Sequence, residues 1–221
     1  MARALTECPG DFFMIGIIHR DARNLESLAK WLKKLRPDVI TVEISRYSLD
    51  FRRSAGQMYR ERLDDICASL APEGPGHASS HFKDLYSFID MPAEFIIADE
   101  YCRRNKIDIY PVDMDFFSFL KLRKIDELID RQNMQKSMTE DPERSAPVER
   151  VLADLYFHKG VTAFSYSEEM AMRDKFMCHK ISILRKRHKN GRFLHIAGWQ
   201  HLRDPLSLYG PFQPVKIFPY D

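Results

Sequence analysis

Two short segments of the chain share one form, Gly16-Ile-Ile-His19 and Gly198-Trp-Gln-His201. Each lies at the end of an apolar run, where glycine lets backbone approach closely or turn unusually and an imidazole follows at the strand end. A third run leads to Glu43 and a fourth to Asp113. All four thus deliver a side chain able to bind a metal or move a proton. Two imidazoles and a carboxylate suit Zn, Mn, Co or Fe, so the expected ligands of a divalent metal are His19, Glu43 and His201. A catalytic ion keeps an open position for water and acidifies it. In a metal-free version, His19 is the general base and Glu43 orients it.

Two more charged residues stand where burial is expected. Met170, Arg173, Met177, Ile181 and Leu184 recur at spacings of three, four, four and three, which puts the arginine within the apolar stripe of a helix. Buried arginine is rare unless paired. It either snorkels to solvent or pairs with a structural carboxylate, or it faces the site, pairing with Glu43 or stabilising an oxyanion. Glu94 shares a helix face with Ile97, Ala98 and Tyr101, in a first turn where the macrodipole favours a carboxylate. Glu94 and Asp113 are read as groups that orient the imidazoles or the arginine.

These residues need a sheet to gather them. Residues 12–19 are apolar, aromatic and branched, and they read as a strand buried on both faces. Leu25, Leu28, Leu32 and Leu35 mark an amphipathic helix that Pro37 terminates, and 38–44 reads as a second strand parallel to the first. The stretch 47–70 is helical and heavily charged, and 71–80 is a loop by its Pro, Gly and Ser content. A helix from near Pro92 to 105 leads to a third strand at 107–112. Further helices are expected at 116–129, 148–158 and 166–188, the last opened by a capping box at Ser165-Tyr-Ser-Glu168, with a second loop at 137–147. Strands at 192–197 and 215–218 complete the pattern. The expected fold is α/β, a single domain over 1–221. Its central, mostly parallel sheet of about five or more strands is flanked by helices, with the site at the C-terminal strand edges.

Composition narrows the partners. Lys and Arg number 34 and Asp and Glu 32, a net charge of +2, so no strong field points to nucleic acid or an anionic membrane. The basic run Arg185-Lys-Arg-His-Lys-Asn-Gly-Arg192 ends a helix, where cations favour the dipole, and reads as a solvated face. The apolar run at 12–18 falls well short of the about 20 residues that a spanning helix needs. Thr6, Glu7, Pro9 and Asp11 interrupt any signal-peptide pattern, and a cytoplasmic protein is expected. Cys8, Cys67, Cys102 and Cys178 form no Cys-x-x-Cys pair and read as reduced thiols.

The segments together resemble the TraB/PrgY and Tiki superfamily, whose distant relatives include erythromycin esterases and the ChaN haem-binding lipoprotein. Ile15-Gly-Ile-Ile-His19 and Arg36-Pro-Asp-Val-Ile-Thr-Val-Glu43 are similar to its opening Gly-x-x-His and its Pro-Asp-Val-Val-x-Val-Glu strand. The helix with an early Glu94, the strand ending at Asp113, Glu169-Met-Ala-Met-Arg-Asp174 and Gly198-Trp-Gln-His201 follow in the family's order. Two departures stand out. Arg20 follows the first histidine, where many members carry a small apolar residue, and Arg46 follows Glu43 in an altered context. Arg46 joins Glu94 and Asp113 as a candidate for orienting the site.

The resemblance implies a metal-dependent hydrolase of a peptide or ester, in which His19, Glu43 and His201 hold the ion or its activated water. Arg173 would stabilise the oxyanion, and Gly16 and Gly198 would shape the two turns. The alternative, from another class, is a non-catalytic protein that sequesters a peptide signal or a porphyrin in a pocket lined by Tyr101, Phe116 and Trp199. No nucleic-acid or membrane partner is expected.

Overall fold

A computed structural model of the protein describes residues 11–19, 21, 23–70, 82–139, 145–161 and 165–219. Five strands form one sheet: β1 (Phe12–Ile17), β2 (Val39–Val42), β3 (Asp108–Pro111), β4 (Phe193–Gly198) and β5 (Val215–Ile217). All pairings are parallel and the spatial order is β3-β2-β4-β1-β5. β4 therefore lies between the two strands that open the chain. β1 and β4 are neighbours in the register Ile15↔Ile196 and Ile17↔Gly198. From β2 the chain proceeds to β3 on one side, and from its neighbour β4 it proceeds past β1 to β5 on the other. Adjacent strands with diverging connections leave a crevice at their carboxyl ends.

The central strands are apolar throughout because both faces are covered. Phe13, Ile15 and Ile17 of β1 point to one face, together with Ile40, Val42, Leu194 and Ile196. There they meet α1 (Arg23–Leu35) through Leu28, Leu32 and Leu35. The chain then forms α2 (Arg46–Ser54), α3 (Gly56–Leu70), α4 (Lys83–Ile89) and α5 (Ala93–Asn105), and α5 adds Phe95, Ala98 and Cys102 to the same face. Phe12, Met14 and Phe193 point the other way. The chain continues through α6 (Asp115–Leu122), α7 (Ile125–Leu128), α8 (Arg131–Thr139), α9 (Ser145–Lys159) and α10 (Glu168–Arg187), and α10 buries Met177, Ile181 and Leu184 on that second face. Burying a side chain of this size stabilises by about 1.5–3 kcal/mol, so α10 is held firmly against the sheet.

Several boundaries differ from the sequence reading. The 47–70 stretch is two helices that meet at Ala55, and 116–129 is likewise two. Helix α8 covers part of the expected 137–147 loop and α9 starts at Ser145, so only 140–144 separates them, outside the described residues together with loop 71–80. Helix α10 is capped by Ser167, whose Oγ accepts the Met170 amide at 3.2 Å, and not by the box that begins at Ser165. Cys8, Arg20 and the Leu25 side chain also lie outside the described residues. Cys67, Cys102 and Cys178 are free thiols. No helix among the described residues is long and apolar enough to cross a membrane.

Candidate active site at the carboxyl edge of the sheet

Parallel strands present their carboxyl ends on one edge, and here four of the five strands are followed by an ionisable side chain. Glu43 directly follows β2, His19 lies two residues beyond β1, and Asp113 lies two beyond β3. After Gly198 the chain tightens into a 3-10 turn, Trp199–Arg203, which tucks His201 into the protein.

Glu43 is the hub. Its Oε1 accepts from Arg173 Nη2 at 2.5 Å and lies 3.0 Å from His201 Nε2, while its Oε2 accepts the Gly198 amide at 2.6 Å. Arg173 reaches down from α10 and also donates to both carboxylate oxygens of Asp113, at 3.0 and 2.7 Å. The stripe reading of Arg173 as a paired, site-facing cation thus describes its place, and its first work is to anchor two carboxylates. Burial opposes its charge, but Glu43 and then Asp113 keep the guanidinium protonated. Burial alone would raise the Glu43 carboxyl, yet His201 and Arg173 outweigh it and hold the group well below the usual carboxylate range.

The histidines occupy three different environments. His201 is buried; its Nδ1–H donates to Asp174 Oδ1 at 2.6 Å and its Nε2–H points to Glu43. Burial works against the charged ring, but the two carboxylates prevail and raise it to about 10, so it is an imidazolium at neutral pH. His19 is 44% exposed. Its Nδ1 lies 2.9 Å from Glu94 Oε1, and because a carboxylate only accepts, the proton sits on Nδ1. Its Nε2 then faces Glu43 Oε2 across 3.9 Å. For Glu94 burial works upward, and the His19 hydrogen bond more than offsets it and lowers the carboxyl. His195, inside β4, bonds Thr41 through Nδ1, and burial depresses it to about 4, so it stays neutral.

The two Gly-x-x-His segments are alike in sequence but not in role. A Cβ on Gly198 would sit 2.9 Å from His19 Nε2 and 3.4 Å from Glu43 Oε2, so glycine keeps the space between them open. A Cβ on Gly16 would meet Leu202 at 2.8 Å and the Trp199 backbone at 3.0 Å, so this glycine lets the 3-10 turn lie against β1. The register pairs Gly198 with Ile17, one residue beyond Gly16, which turns the two glycines to opposite faces.

The chain matches no family model and no curated protein. His19, Glu43, Glu94, Asp113, Arg173 and His201 come together as expected, whereas Arg46 is exposed at the start of α2 and makes no hydrogen bond or ion pair to them. Tyr101, Phe116 and Trp199 are not brought together: Tyr101, on α5, packs against the core that Leu28, Leu32 and Leu35 of α1 share, Phe116 is 57% exposed, and Trp199 is buried with Ile18, Ala153 and Phe218. Asp174 was not singled out from the sequence, although it leads Met177, Ile181 and Leu184 at spacings of three, four and three. It also accepts Tyr166 Oη at 2.6 Å, a contact without a local sequence signal. The basic run is mostly a solvated face, with Lys186, Arg187, Lys189, Asn190 and Arg192 exposed, and three of its members also make specific contacts. Arg185 lies over the rings of Phe12, Phe193 and Phe212 at 5.4–5.6 Å, Tyr110 bonds His188 at 2.9 Å, and Arg192 donates to the Leu35 carbonyl at 2.7 Å.

Among the described residues no group of three or more His, Cys, Asp or Glu side chains is placed to hold a metal ion. The bonding explains this. Both nitrogens of His201 carry protons, and Glu43 accepts from Arg173, His201 and Gly198. For His19, Glu43 and His201 to ligate a cation together, His201 must lose its Nε2 proton.

Proposed function

We propose that the protein is a hydrolase of an ester or peptide bond in which His19 moves the proton. One relationship carries this reading: Nδ1 of the partly exposed His19 is fixed by Glu94, and its Nε2 faces Glu43 across 3.9 Å, a span that one water can bridge. Glu94 sets the tautomer, and the Nε2 lone pair takes a proton from that water as it attacks the carbonyl; the tetrahedral intermediate then collapses, breaking the bond to the alcohol or amine, which leaves with the proton that His19 returns to it. Glu43, immobilised by Arg173, His201 and Gly198, orients the water and stabilises the imidazolium that forms. Arg173 and His201, both bonded to Glu43, supply the positive charge beside it that offsets the negative charge developing in the site. The resemblance of the motifs, in their order, to those of the TraB/PrgY and Tiki superfamily supports the same reaction class.

The test uses metal-stripped protein with p-nitrophenyl esters of increasing chain length and a fluorogenic peptide pool. His19→Ala should lower turnover about 10²–10⁴-fold, the usual contribution of a positioned base. Glu94→Gln should cause a smaller loss and displace the pH profile. If no substrate turns over, or His19→Ala leaves turnover intact, the reading fails. Turnover that appears only with added Mn, Co, Zn or Fe would replace the metal-free route with the metal-dependent one.

A further inference from the structure

Asp174 is a fully buried carboxylate, and each of its oxygens takes one donor. Oδ1 accepts His201 Nδ1–H at 2.6 Å, and Oδ2 accepts the Tyr166 hydroxyl at the same distance. Among the described residues its side chain has these two partners. A buried carboxylate oxygen without a donor is costly, so the phenol that fills Oδ2 holds the plane of the carboxylate and keeps Oδ1 for His201. Tyr166 is half-buried and stands one residue ahead of Ser167, the cap of α10, so its side chain reaches forward to the second turn of that helix. The same lead-in is tied to the turn that carries His201, because Arg203 Nη1 donates to the Ser165 carbonyl at 3.1 Å.

An imidazole is rigid, so the direction of its Nδ1–H dictates the direction of its Nε2–H. Holding Nδ1 on Asp174 therefore aims Nε2 at Glu43 Oε1, 3.0 Å away. The path from Tyr166 is continuous: hydroxyl, carboxylate, imidazolium, and then the carboxylate that faces His19. We propose that Tyr166 is a positioning residue, whose hydroxyl fixes the Asp174 carboxylate and, through it, the imidazolium of His201 against Glu43. It acts on the reaction through these side chains, as partners one step behind a functional histidine do. Its effect on turnover rests on the hydrolase reading, whereas its effect on His201 does not.

Tyr166→Phe removes one oxygen and leaves the ring in place, and two measurements read the consequence. The first is proton NMR of the His201 Nδ1–H in protein carrying isotope-labelled histidine, the signal being assigned by its loss in His201→Gln. A short, charge-assisted bond in a buried place gives a downfield signal that exchanges slowly with water. In Tyr166→Phe that proton should exchange roughly tenfold faster, because the carboxylate it bonds is free to turn. The second is ester hydrolysis, in which kcat should fall about tenfold while KM holds. A phenol that only packs would lower the melting temperature and leave the His201 proton exchanging at its wild-type rate, and that result overturns the proposal. A loss carried by KM with kcat intact overturns it as well. If neither protein turns over any substrate, the hydrolase reading fails by itself, and the His201 signal decides the positioning.

Discussion

His201 Nδ1–H donates to Asp174 Oδ1 at 2.6 Å, and both side chains are buried. Asp174 adjoins Arg173 in α10, so one helix sends an anion and a cation into the site side by side. The anion holds the turn after β4, and the cation holds the carboxylates after β2 and β3. Three strand ends are thereby tied to one helix on the covering layer.

Replacing Asp174 with Asn should show how much rests on that tie. Removing one of the two carboxylates that hold the buried His201 leaves it with Glu43 alone, and breaking a buried pair of this kind should cost about 3 kcal/mol of stability. Urea unfolding at pH 7 reads this directly. A loss below about 1 kcal/mol, the level of an exposed pair, would show that the pair is not held as described.

The pH dependence of stability follows from His201. Its folded value, about 10, lies above its ordinary 6.5, so its contribution is complete below pH 6.5 and fades as the pH climbs towards 10. Glu43 acts in the other direction: held low, its contribution is present above the ordinary carboxylate range and is lost as acid protonates it. Stability should therefore decline from pH 6.5 to 10, by an amount on the order of 4 kcal/mol. His201→Gln should flatten the decline in urea titrations at pH 6, 8 and 10. Parallel slopes in the two proteins would assign the decline to other groups.

The two glycines should respond differently to alanine. In Gly16→Ala the methyl meets Trp199 backbone, which cannot swing aside, and overpacking of that kind costs about 1–3 kcal/mol. In Gly198→Ala the methyl presses on the partly exposed His19 ring, which can move, so stability changes less and turnover falls. Melting temperature and ester hydrolysis measured on both variants separate these effects. Equal losses of stability would contradict the assigned roles.

Arg173→Lys keeps the charge but not the fork. A lysine cannot reproduce the paired Nε and Nη2 contacts to Asp113 while reaching Glu43. Loss of charged hydrogen bonds of this type is worth about 1.5–3 kcal/mol, and chemical denaturation should show a cost in that range. Wild-type stability in this variant would mean that charge alone suffices.

The strands and their chemistry were legible because apolar runs ending in His19, Glu43 and Asp113 are local patterns, and a parallel sheet collects such ends on one edge. The helix breaks at Ala55 and after Leu122 were not legible, because the charged and aromatic stretches there satisfy helical spacing on both sides. Arg46 looked like a site residue from its distance to Glu43 along the chain, yet the start of α2 leaves it in solvent. Asp174 did have a signal, since it lies on the buried stripe. Its neighbour Arg173 fits the same stripe, and spacing alone does not separate the two.

By itself, the sequence determined an α/β chain with parallel strands and the residue types at their carboxyl ends. Periodicity and β-branching act over a few residues, so they are written locally. Only the tertiary structure decided that β4 enters between β1 and β2, and this insertion sets Gly198 between His19 and Glu43. It also decided that two similar Gly-x-x-His segments differ, one histidine partly exposed on Glu94 and the other buried and charged between Glu43 and Asp174. Strand order and burial depend on contacts between residues more than a hundred positions apart, and no local pattern carries that information.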